Sequence, residues 1–368
     1  MGIRLVDVAA QNAPLQDDLE AAVGRVLRRG QFILGPEVEA LEHDVAAFCG
    51  VRHGIGVASG TDALMLALAA VGVGRGDEVI TTAFTYVATA QAVTHLGARP
   101  VFVDIDPDTF CLDPALVKRA VSRRTKAILP VHLFGQCAPM DAINEIAVAR
   151  GLAVIEDAAQ AIGATYGGRG ACGLSHLGCL SFYPTKNLGA CGDGGMVLTN
   201  DDELNARLRL LRVHGRANGY FYLIDGFNSR LDEIQAAFLR VKMPGLAEYT
   251  RQRQVNAALY DELLGGIPMI QTPRVAAGNQ HVYHQYSILA NGRDDLREHL
   301  KTQGIDSAIF YPLPLHQQQI YRGLHRGSLP VSERVAASIL ALPIAPEVVD
   351  EAAVRTVAAA IGQFYKQG

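Results

Sequence analysis

One lysine in this sequence has neighbours suited to covalent chemistry. Lys186 follows the largely apolar and aromatic run 179–184 and precedes a glycine-rich bend at residues 189–195. Only six of the 33 basic residues are lysines. A lysine held partly away from water has a lowered pKa, which favours imine formation with an aldehyde and later proton transfer. The alternative is a surface lysine in a turn.

A predicted buried strand at residues 152–156 ends in two carboxylates, Glu156 and Asp157. A buried charge needs a partner. A protonated heterocyclic nitrogen would be a fitting one, because an adjacent aspartate stabilises its positive charge. The alternative is that Asp157 caps the next helix.

The segment Ser59-Gly60-Thr61-Asp62 lies between a predicted strand and a predicted helix. Free N–H groups and the positive end of the helix dipole make such a turn a phosphate cradle, and glycine allows close approach of the anion. An ordinary helix cap is the alternative, because Ser, Thr and Asp all cap helices well.

Residues 168–173 match the G-x-G-x-x-G pattern of dinucleotide-binding loops. That pattern has meaning only after a strand and before a helix, and neither is predicted here. We interpret the match as chance. The alternative function of a nicotinamide oxidoreductase would rest on this motif alone.

The predicted elements explain how these residues could meet. Strands are predicted at 53–58, 77–81, 100–104, 126–132 and 152–156, with helices at 63–70, 87–96 and 140–150 between them. This alternation predicts an α/β fold with a mostly parallel sheet covered by helices. Ligands of such sheets bind at the carboxyl ends of the strands.

The pattern changes after residue 245 and predicts a second, smaller α+β domain. Helices are predicted at 246–264, 294–303 and 350–365, and strands at 283–289 and 307–311. We therefore expect a large domain at 1–245 and a small C-terminal domain at 246–368. The first 30 residues or so are expected to pack near the small domain.

Composition excludes several classes of protein. The 368 residues are 49% hydrophobic and 19% charged, so the chain can bury a large core. A net charge of −4 without a basic stripe gives no support for nucleic-acid or membrane partners. The longest apolar run, 63–73, is well short of the ~18 residues of a membrane span. Six scattered cysteines without zinc spacing predict reduced thiols, a cytoplasmic location and no metal site.

Taken together, these segments resemble the sugar-nucleotide aminotransferase family (DegT/DnrJ/EryC1/StrS type), a branch of the fold-type I enzymes that use pyridoxal phosphate. The similarity runs almost from end to end of the chain. The segments that carry it are 30–37, 59–64, 76–80, 131–136, 156–160, 181–189, 192–195 and 228–232.

The resemblance implies roles around a cofactor ring. Lys186 would hold pyridoxal 5'-phosphate as an internal aldimine and then act as the general acid/base. Asp157 would pair with the ring nitrogen, and Gln160 would reach the phenolic oxygen. Tyr86 would stack on the ring, with Phe84 as a competing stacker and a core role for Tyr86 as the alternative.

The resemblance also implies a phosphate site that is shared between subunits. Gly60, Thr61 and the Ser181 hydroxyl would bind the cofactor phosphate. In relatives, the asparagine at the position of Asn228 crosses to the neighbouring subunit's phosphate, which implies a homodimer with shared active sites.

Three residues are implied as substrate contacts. Arg230 would bind a carboxylate, although an ion pair with Asp232 or Glu233 is equally open. Tyr311 and His316 belong to a proline-rich loop that closes over the sugar nucleotide in relatives; interdomain packing is the alternative.

The function implied is amino transfer from L-glutamate to a keto group, at C3, of a UDP- or dTDP-linked hexose. Pyridoxamine phosphate would be the intermediate form of the cofactor in a ping-pong reaction. The alternatives are amination at C4 of a 4-keto-6-deoxy sugar and a non-catalytic regulatory relative. A pyridoxamine-dependent sugar dehydratase would have histidine in place of Lys186.

Overall fold

The structure is a computed structural model that describes residues 2–325 and 327–367. Met1, Arg326 and Gly368, which fall within the predicted domains, lie outside the described residues. The strands are β1 (His53–Val57), β2 (Glu78–Thr82), β3 (Arg99–Val103), β4 (Thr125–Leu129), β5 (Ala153–Asp157), β6 (Thr165–Tyr166), β7 (Arg169–Gly170), β8 (Leu177–Ser181), β9 (Gly195–Thr199), β10 (Arg216–Asn218), β11 (Phe221–Tyr222), β12 (Ile270–Gln271), β13 (Asn279–Gln280), β14 (Tyr286–Ala290) and β15 (Ile339–Leu342).

Helices precede, separate and follow these strands. They are α1 (Val8–Asn12), α2 (Gln16–Arg29), α3 (Pro36–Cys49), α4 (Gly60–Ala70), α5 (Ala88–His95), α6 (Pro114–Ala120), α7 (Met140–Arg150), α8 (Asp202–Leu211), α9 (Glu233–Lys242), α10 (Leu246–Leu264), α11 (Arg293–Thr302), α12 (Pro330–Ser338) and α13 (Glu351–Gln367). Over the described part of the chain, no helix is both long and apolar enough to span a membrane.

A seven-stranded sheet in the order β1-β9-β8-β5-β4-β2-β3 forms the centre of the molecule. β8, β5, β4, β2 and β3 are parallel, and β9 runs antiparallel to both of its neighbours, β8 and β1. β1 therefore points the same way as the parallel strands. The predicted α/β class with a mostly parallel, mixed sheet is confirmed.

Alternating residues of each strand pack into two hydrophobic cores, one on each face of this sheet. Ile128 and Val154 belong to one core and their neighbours Leu129 and Ile155 to the other, as the two-residue repeat of a strand requires. Helices α3, α6, α7 and α9 cover the first face, and α4, α5 and α8 cover the second. Burial on both faces explains why the strands are almost continuously apolar.

The chain after residue 245 contributes a further core. α10, α11 and α13 pack on a three-stranded sheet in the order β12-β14-β15. The predicted strand at 307–311 is wrong: that segment makes only one bridge, between Ala308 and Ala341, and β15 completes the sheet instead. The exact domain boundary stays a prediction.

The first residues of the chain contact both parts of the molecule. Ile3 forms a bridge with Ile305, whereas α2 packs on α9 through Ala22, Val26 and Ala237. The G-x-G-x-x-G match at 168–173 contains β7, which pairs with β6 in a hairpin. It therefore lacks the strand–turn–helix geometry of a dinucleotide loop.

Candidate active site

A cavity of about 470 Å³ opens where the carboxyl ends of β1, β5 and β8 meet. Because these strands share a direction, the residues that follow them converge at one edge of the sheet. The predicted site residues that line this cavity are Gly60, Thr61, Tyr86, Asp157, Gln160, Ser181, Lys186 and Tyr311.

The phosphate end of the cavity is the first turn of α4. Ser59 caps this helix by accepting the N–H of Asp62 at 3.1 Å, so the capping interpretation of the turn is confirmed. The N–H groups of Gly60 and Thr61 lie in the first turn, where no earlier helical carbonyl is present to accept them, so they point out of the helix end. A Cβ on Gly60 would lie 2.6 Å from Ser181 Cβ, so glycine is what allows the Ser181 hydroxyl to approach.

Glu156 and Asp157 have separate environments because consecutive strand residues face opposite sides of the sheet. Glu156 is fully buried and accepts bonds from the Cys172 and Leu174 N–H groups, the Ser175 hydroxyl and His132 Nε2. His132 Nδ1 accepts the Ala138 N–H, so Nε2 must carry the proton. Glu156 is therefore a structural carboxylate.

Asp157 is the carboxylate that faces the cavity, and its contacts are fewer. It accepts the Thr89 hydroxyl at 2.7 Å and the Ala159 N–H at 3.2 Å. Burial raises its pKa above the usual value, although these hydrogen bonds, Lys186 and His132 oppose the shift. A cation placed against it would remove much of this penalty.

Thr89 is a site residue that sequence reasoning missed. Its hydroxyl donates to Asp157 and so must accept from Thr85, whose oxygen is 3.0 Å away. Thr85 lies three residues before α5, next to Tyr86, and Thr89 lies four residues on, in the first turn of the helix. This four-residue spacing is the only feature of the sequence that links the two threonines, and it does not show that Thr89 faces Asp157 at the end of β5.

Lys186 lies in the loop between β8 and β9 and is half-buried. Burial lowers its pKa to about 8, and the negative charge of Asp157 opposes this shift. Within residues 2–325 and 327–367 its amine has no hydrogen-bond or ion-pair partner. The amine is therefore free to react in the cavity.

The lowered pKa of Lys186 has a measurable consequence. Covalent capture of pyridoxal phosphate needs the neutral amine, so its rate should rise with pH and level off above about 8 rather than near 10.5. Borohydride trapping at a series of pH values, followed by peptide mass spectrometry at Lys186, measures this profile. A rate that keeps rising to pH 10 would contradict the assignment.

Two aromatic residues compete for the role of ring stacker, and their burial separates them. Phe84 is completely buried and packs on Phe110 and Phe134. Tyr86 is 59% exposed and lines the cavity, with its ring centre 6.3 Å from that of Tyr311. The geometry favours Tyr86 and leaves Phe84 as a core residue.

The orientation of Gln160 is fixed by its neighbours. Its side-chain oxygen accepts the Phe134 N–H at 2.7 Å, and its amide nitrogen donates to the Tyr311 hydroxyl at 3.2 Å. The amide group is thus directed into the cavity. Burial raises the pKa of Tyr311 above its usual range, so the hydroxyl stays protonated and can donate to a ligand.

His284 is the second residue that sequence reasoning missed. It lines the cavity and contacts Asn187, whose amide nitrogen already donates to the Val282 carbonyl. His284 Nδ1 must therefore be the donor to the Asn187 oxygen. Burial holds the pKa of His284 well below its usual value, so the ring is neutral. Nothing in the sequence places residue 284 beside residue 187.

Asn228 and Arg230 do not line the cavity, but the residue between them contacts its phosphate end. Ser229 accepts the Ala58 N–H at 3.2 Å and donates to Asp62 at 2.8 Å. Asn228 is exposed, and Arg230 is half-buried without an ion pair to any described residue.

The alternative ion pair between Arg230 and Glu233 is not formed. Glu233 instead accepts the N–H groups of Gly35, Glu37 and Val38 at the start of α3. The guanidinium of Arg230 therefore remains available for a ligand.

His316 lies in a different place from the one predicted. It is buried beside a second cavity of about 490 Å³ and contacts Glu333 at 3.0 Å. The turn that carries it is fixed by the bond from the Leu315 N–H to the Ala83 carbonyl, which directs Tyr311 and His316 into separate cavities.

Sequence comparison decides the family. The profile of the DegT/DnrJ/EryC1/StrS aminotransferase family matches residues 14–361, nearly the whole chain. The chain belongs to this family. It is a transaminase, and its cofactor is pyridoxal 5'-phosphate.

Individual relatives match this transaminase over almost their full length. A "pleiotropic regulatory protein" of Geobacillus stearothermophilus is 49% identical, covering 100% of this chain and 99% of the relative. A UDP-N-acetyl-3-dehydro-alpha-D-glucosamine 3-aminotransferase of Acidithiobacillus ferrooxidans is 48% identical, covering 95% of this chain and 94% of the relative. The crystal structure of S. venezuelae DesV in complex with a ketimine intermediate superposes with a TM-score of 0.96 at 44% identity, covering 99% and 98%.

The residues present fit this cofactor. The cavity has open N–H groups at a helix end for a phosphate, a buried carboxylate with no ion pair to any described residue, and an amine with a lowered pKa. When bound, pyridoxal phosphate supplies an aldehyde that condenses with amines and a protonated ring that accepts electrons. Asp157, fixed by Thr89, can hold the ring nitrogen proton, and Lys186 can provide the amine.

Proposed function

We propose that this transaminase moves an amino group from L-glutamate to the C3 ketone of a UDP- or dTDP-linked hexose. The observation that supports this most directly is a cavity in which the free amine of Lys186 faces a buried carboxylate and a helix N-terminus. The C3 position is supported by the Acidithiobacillus ferrooxidans relative, a 3-aminotransferase of a UDP-linked sugar.

The residues of the cavity have separate tasks. Gly60, Thr61 and the Ser181 hydroxyl bind the cofactor phosphate, and Tyr86 covers the ring. The neutral amine of Lys186 removes the proton from the α-carbon of the donor amino acid. In the second half-reaction the ammonium returns a proton to the sugar carbon that receives nitrogen.

Three further side chains and the smaller unit select and cover the substrate. Arg230 binds a carboxylate of the donor or of the sugar, because its planar fork matches that group. Tyr311 donates its hydroxyl to the sugar. His316 contacts the nucleotide side of the substrate only if the proline-rich loop rearranges, because it now faces the second cavity. The smaller unit, residues 246–368, covers the sugar.

The active enzyme is a homodimer, and Asn228 belongs to the partner's phosphate site. Just before Asn228, the β10–β11 hairpin exposes a run of large apolar side chains: Tyr220 at 88%, Phe221 at 74%, Tyr222 at 57% and Leu223 at 66%. An exposed apolar segment of this size is typical of a protein interface. Asn228 is itself exposed and has no task in its own cavity.

Mixing two inactive variants tests the shared site. Lys186→Ala and Asn228→Ala subunits, unfolded and reassembled together, should recover about a quarter of wild-type activity, because half of the dimers are mixed and each has one intact site. Turnover and cofactor absorbance before and after mixing measure the recovery. Mixing Lys186→Ala with Asp157→Asn is the matched control, since both residues belong to one subunit's site and nothing should be recovered. Equal results from the two mixtures would contradict a shared site.

The enzyme acts in the cytoplasm, a proposal supported by the six cysteines, which are all free thiols.

A substrate panel tests the reaction itself. The holoenzyme would be incubated with L-glutamate and UDP- or dTDP-linked 3-keto and 4-keto sugars, and the products analysed by mass spectrometry and NMR. We expect 2-oxoglutarate and a 3-amino sugar. A 4-amino product would support the C4 alternative instead. No turnover with any sugar, together with an absorbance that L-glutamate does not change, would favour a regulatory relative.

A further inference from the structure

The C-terminal residue of α9 is a completely buried lysine outside the active-site cavity. Lys242 is 1% exposed, and its amine donates to the Gln11 side-chain oxygen at 2.6 Å and the Gly189 carbonyl at 3.0 Å. Its amine also lies 5.5 Å from the centre of the Phe238 ring. No carboxylate comes within 4.0 Å of it in the described part of the chain. Burying such an amine is costly, and these two oxygens offset the cost.

The Gly189 carbonyl belongs to the loop that carries Lys186. A Cβ on Gly189 would lie 2.2 Å from the Pro184 carbonyl oxygen, so the backbone at 189 packs directly under the start of the turn. The turn is closed by the bond from the Lys186 N–H to the Tyr183 carbonyl at 2.8 Å. A displacement of Gly189 would therefore displace the backbone of Lys186.

α9 holds this loop at a second point. Gln235 lies seven residues before Lys242, on the same side of the helix. Its side-chain oxygen accepts the Cys191 N–H at 3.0 Å. The helix therefore binds the loop through two side chains, one on each side of Ala190.

We propose that Lys242 is a positioning residue for Lys186, acting through its hydrogen bond to the Gly189 carbonyl. The proposal rests on the proposed role of Lys186 as the residue that captures the cofactor. Lys242 contacts neither that amine nor the cavity. Through Gln11 it also joins α1 to the loop, so three segments distant in sequence meet at one amine.

The charge state of Lys242 is consistent with this role. Burial lowers the pKa of Lys242 to about 8, opposed by Glu347 and Cys191. The neutral amine keeps two N–H donors, so both acceptors can be satisfied in either state. Positioning therefore depends on the donor and does not require the charge.

The test measures how fast cofactor-free protein captures pyridoxal phosphate at Lys186, by borohydride trapping and peptide mass spectrometry at pH 8. Lys242→Met keeps the bulk but removes the donors, and capture should slow about tenfold or more, because small displacements of a reacting group are costly. Lys242→Arg keeps donors and should recover most of the rate. Lys118→Met, on the exposed surface of α6, is the matched control and should leave the rate unchanged.

The outcomes separate this proposal from the proposed function. If the wild type is not trapped at Lys186, the role of Lys186 fails. If the wild type is trapped and Lys242→Met is trapped as fast, only the positioning role is overturned. Equal losses in Lys242→Met and Lys242→Arg would also overturn it. If Lys242→Met does not fold, Lys242→Leu, which also removes the donors, takes its place; a wild-type rate there overturns the proposal and a slower rate supports it.

Discussion

Replacing Lys186 with alanine should reduce turnover by about 10⁴-fold or more, because the variant loses both the amine that holds the cofactor and the group that moves the proton. The loss should fall on kcat. The cavity and the phosphate end remain intact, so the variant should still bind the cofactor non-covalently. Loss of a half-buried amine with a lowered pKa should not destabilise the fold.

Single-turnover kinetics and mass spectrometry of the variant test this expectation. A cofactor–sugar adduct that accumulates without release would agree with it, since Lys186 is needed to displace the product. Lys118→Ala is the matched control, because Lys118 is exposed on α6 and should be dispensable. Full activity in Lys186→Ala would overturn the mechanism.

Replacing Asp157 with asparagine should reduce turnover by about 10²- to 10³-fold, the loss typical of removing one preorganised electrostatic partner. Asparagine keeps the shape and can still accept the Thr89 hydroxyl, but it cannot stabilise a protonated ring nitrogen. Asp18→Asn, on the exposed surface of α2, is the matched control.

The same variant should change stability in opposite directions without and with the cofactor. Burial raises the pKa of Asp157, so its stabilising contribution is full below the unfolded pKa of about 3.9 and is lost as pH rises through the folded pKa. At pH 7 to 8 the cofactor-free variant should therefore melt at the same temperature as the wild type or higher. Adding pyridoxal phosphate should raise the melting temperature of the wild type more than that of the variant.

Thermal unfolding of both proteins, with and without cofactor, measures whether the order of their melting temperatures reverses when the cofactor is added. A variant that is less stable than the wild type without cofactor would show that Asp157 contributes to folding rather than to cofactor binding. Equal gains on adding cofactor would contradict the pairing with the ring nitrogen.

Five of the seven strands of the central sheet and three of the helices that cover it were predicted, because each of these elements has a local signal; β8, β9, α3, α6, α8 and α9 were not predicted. α10 begins and ends at the predicted residues, and the strand ending in Asp157 is where the Val/Ile pattern puts it. The strand predicted at 307–311 is wrong because this segment makes a single bridge, between Ala308 and Ala341. β15 pairs with β14 instead, and this pairing joins residues far apart in the sequence, which no local pattern predicts.

The site was predictable where one short segment carries its own chemistry. Asp157 is the last residue of β5, and Lys186 and the turn at Gly60 follow β8 and β1, which run in the same direction, so the sheet brings the three together. Thr89 and His284 could not be predicted, because their tasks depend on packing against Asp157 and Asn187 from other parts of the chain. His316 was misplaced because a loop's direction is set by tertiary bonds.

The sequence by itself determined the reactive groups and the edge of the sheet where they meet, because residue type fixes the chemistry and strand direction fixes the edge. The tertiary structure decided how those groups behave. Only burial could lower the pKa of Lys186, raise that of Asp157 and separate Tyr86 from Phe84. Only long-range contact could bring the amine of Lys242 to the carbonyl of Gly189, 53 residues away. Desolvation and contact belong to the folded state, so no local pattern records them.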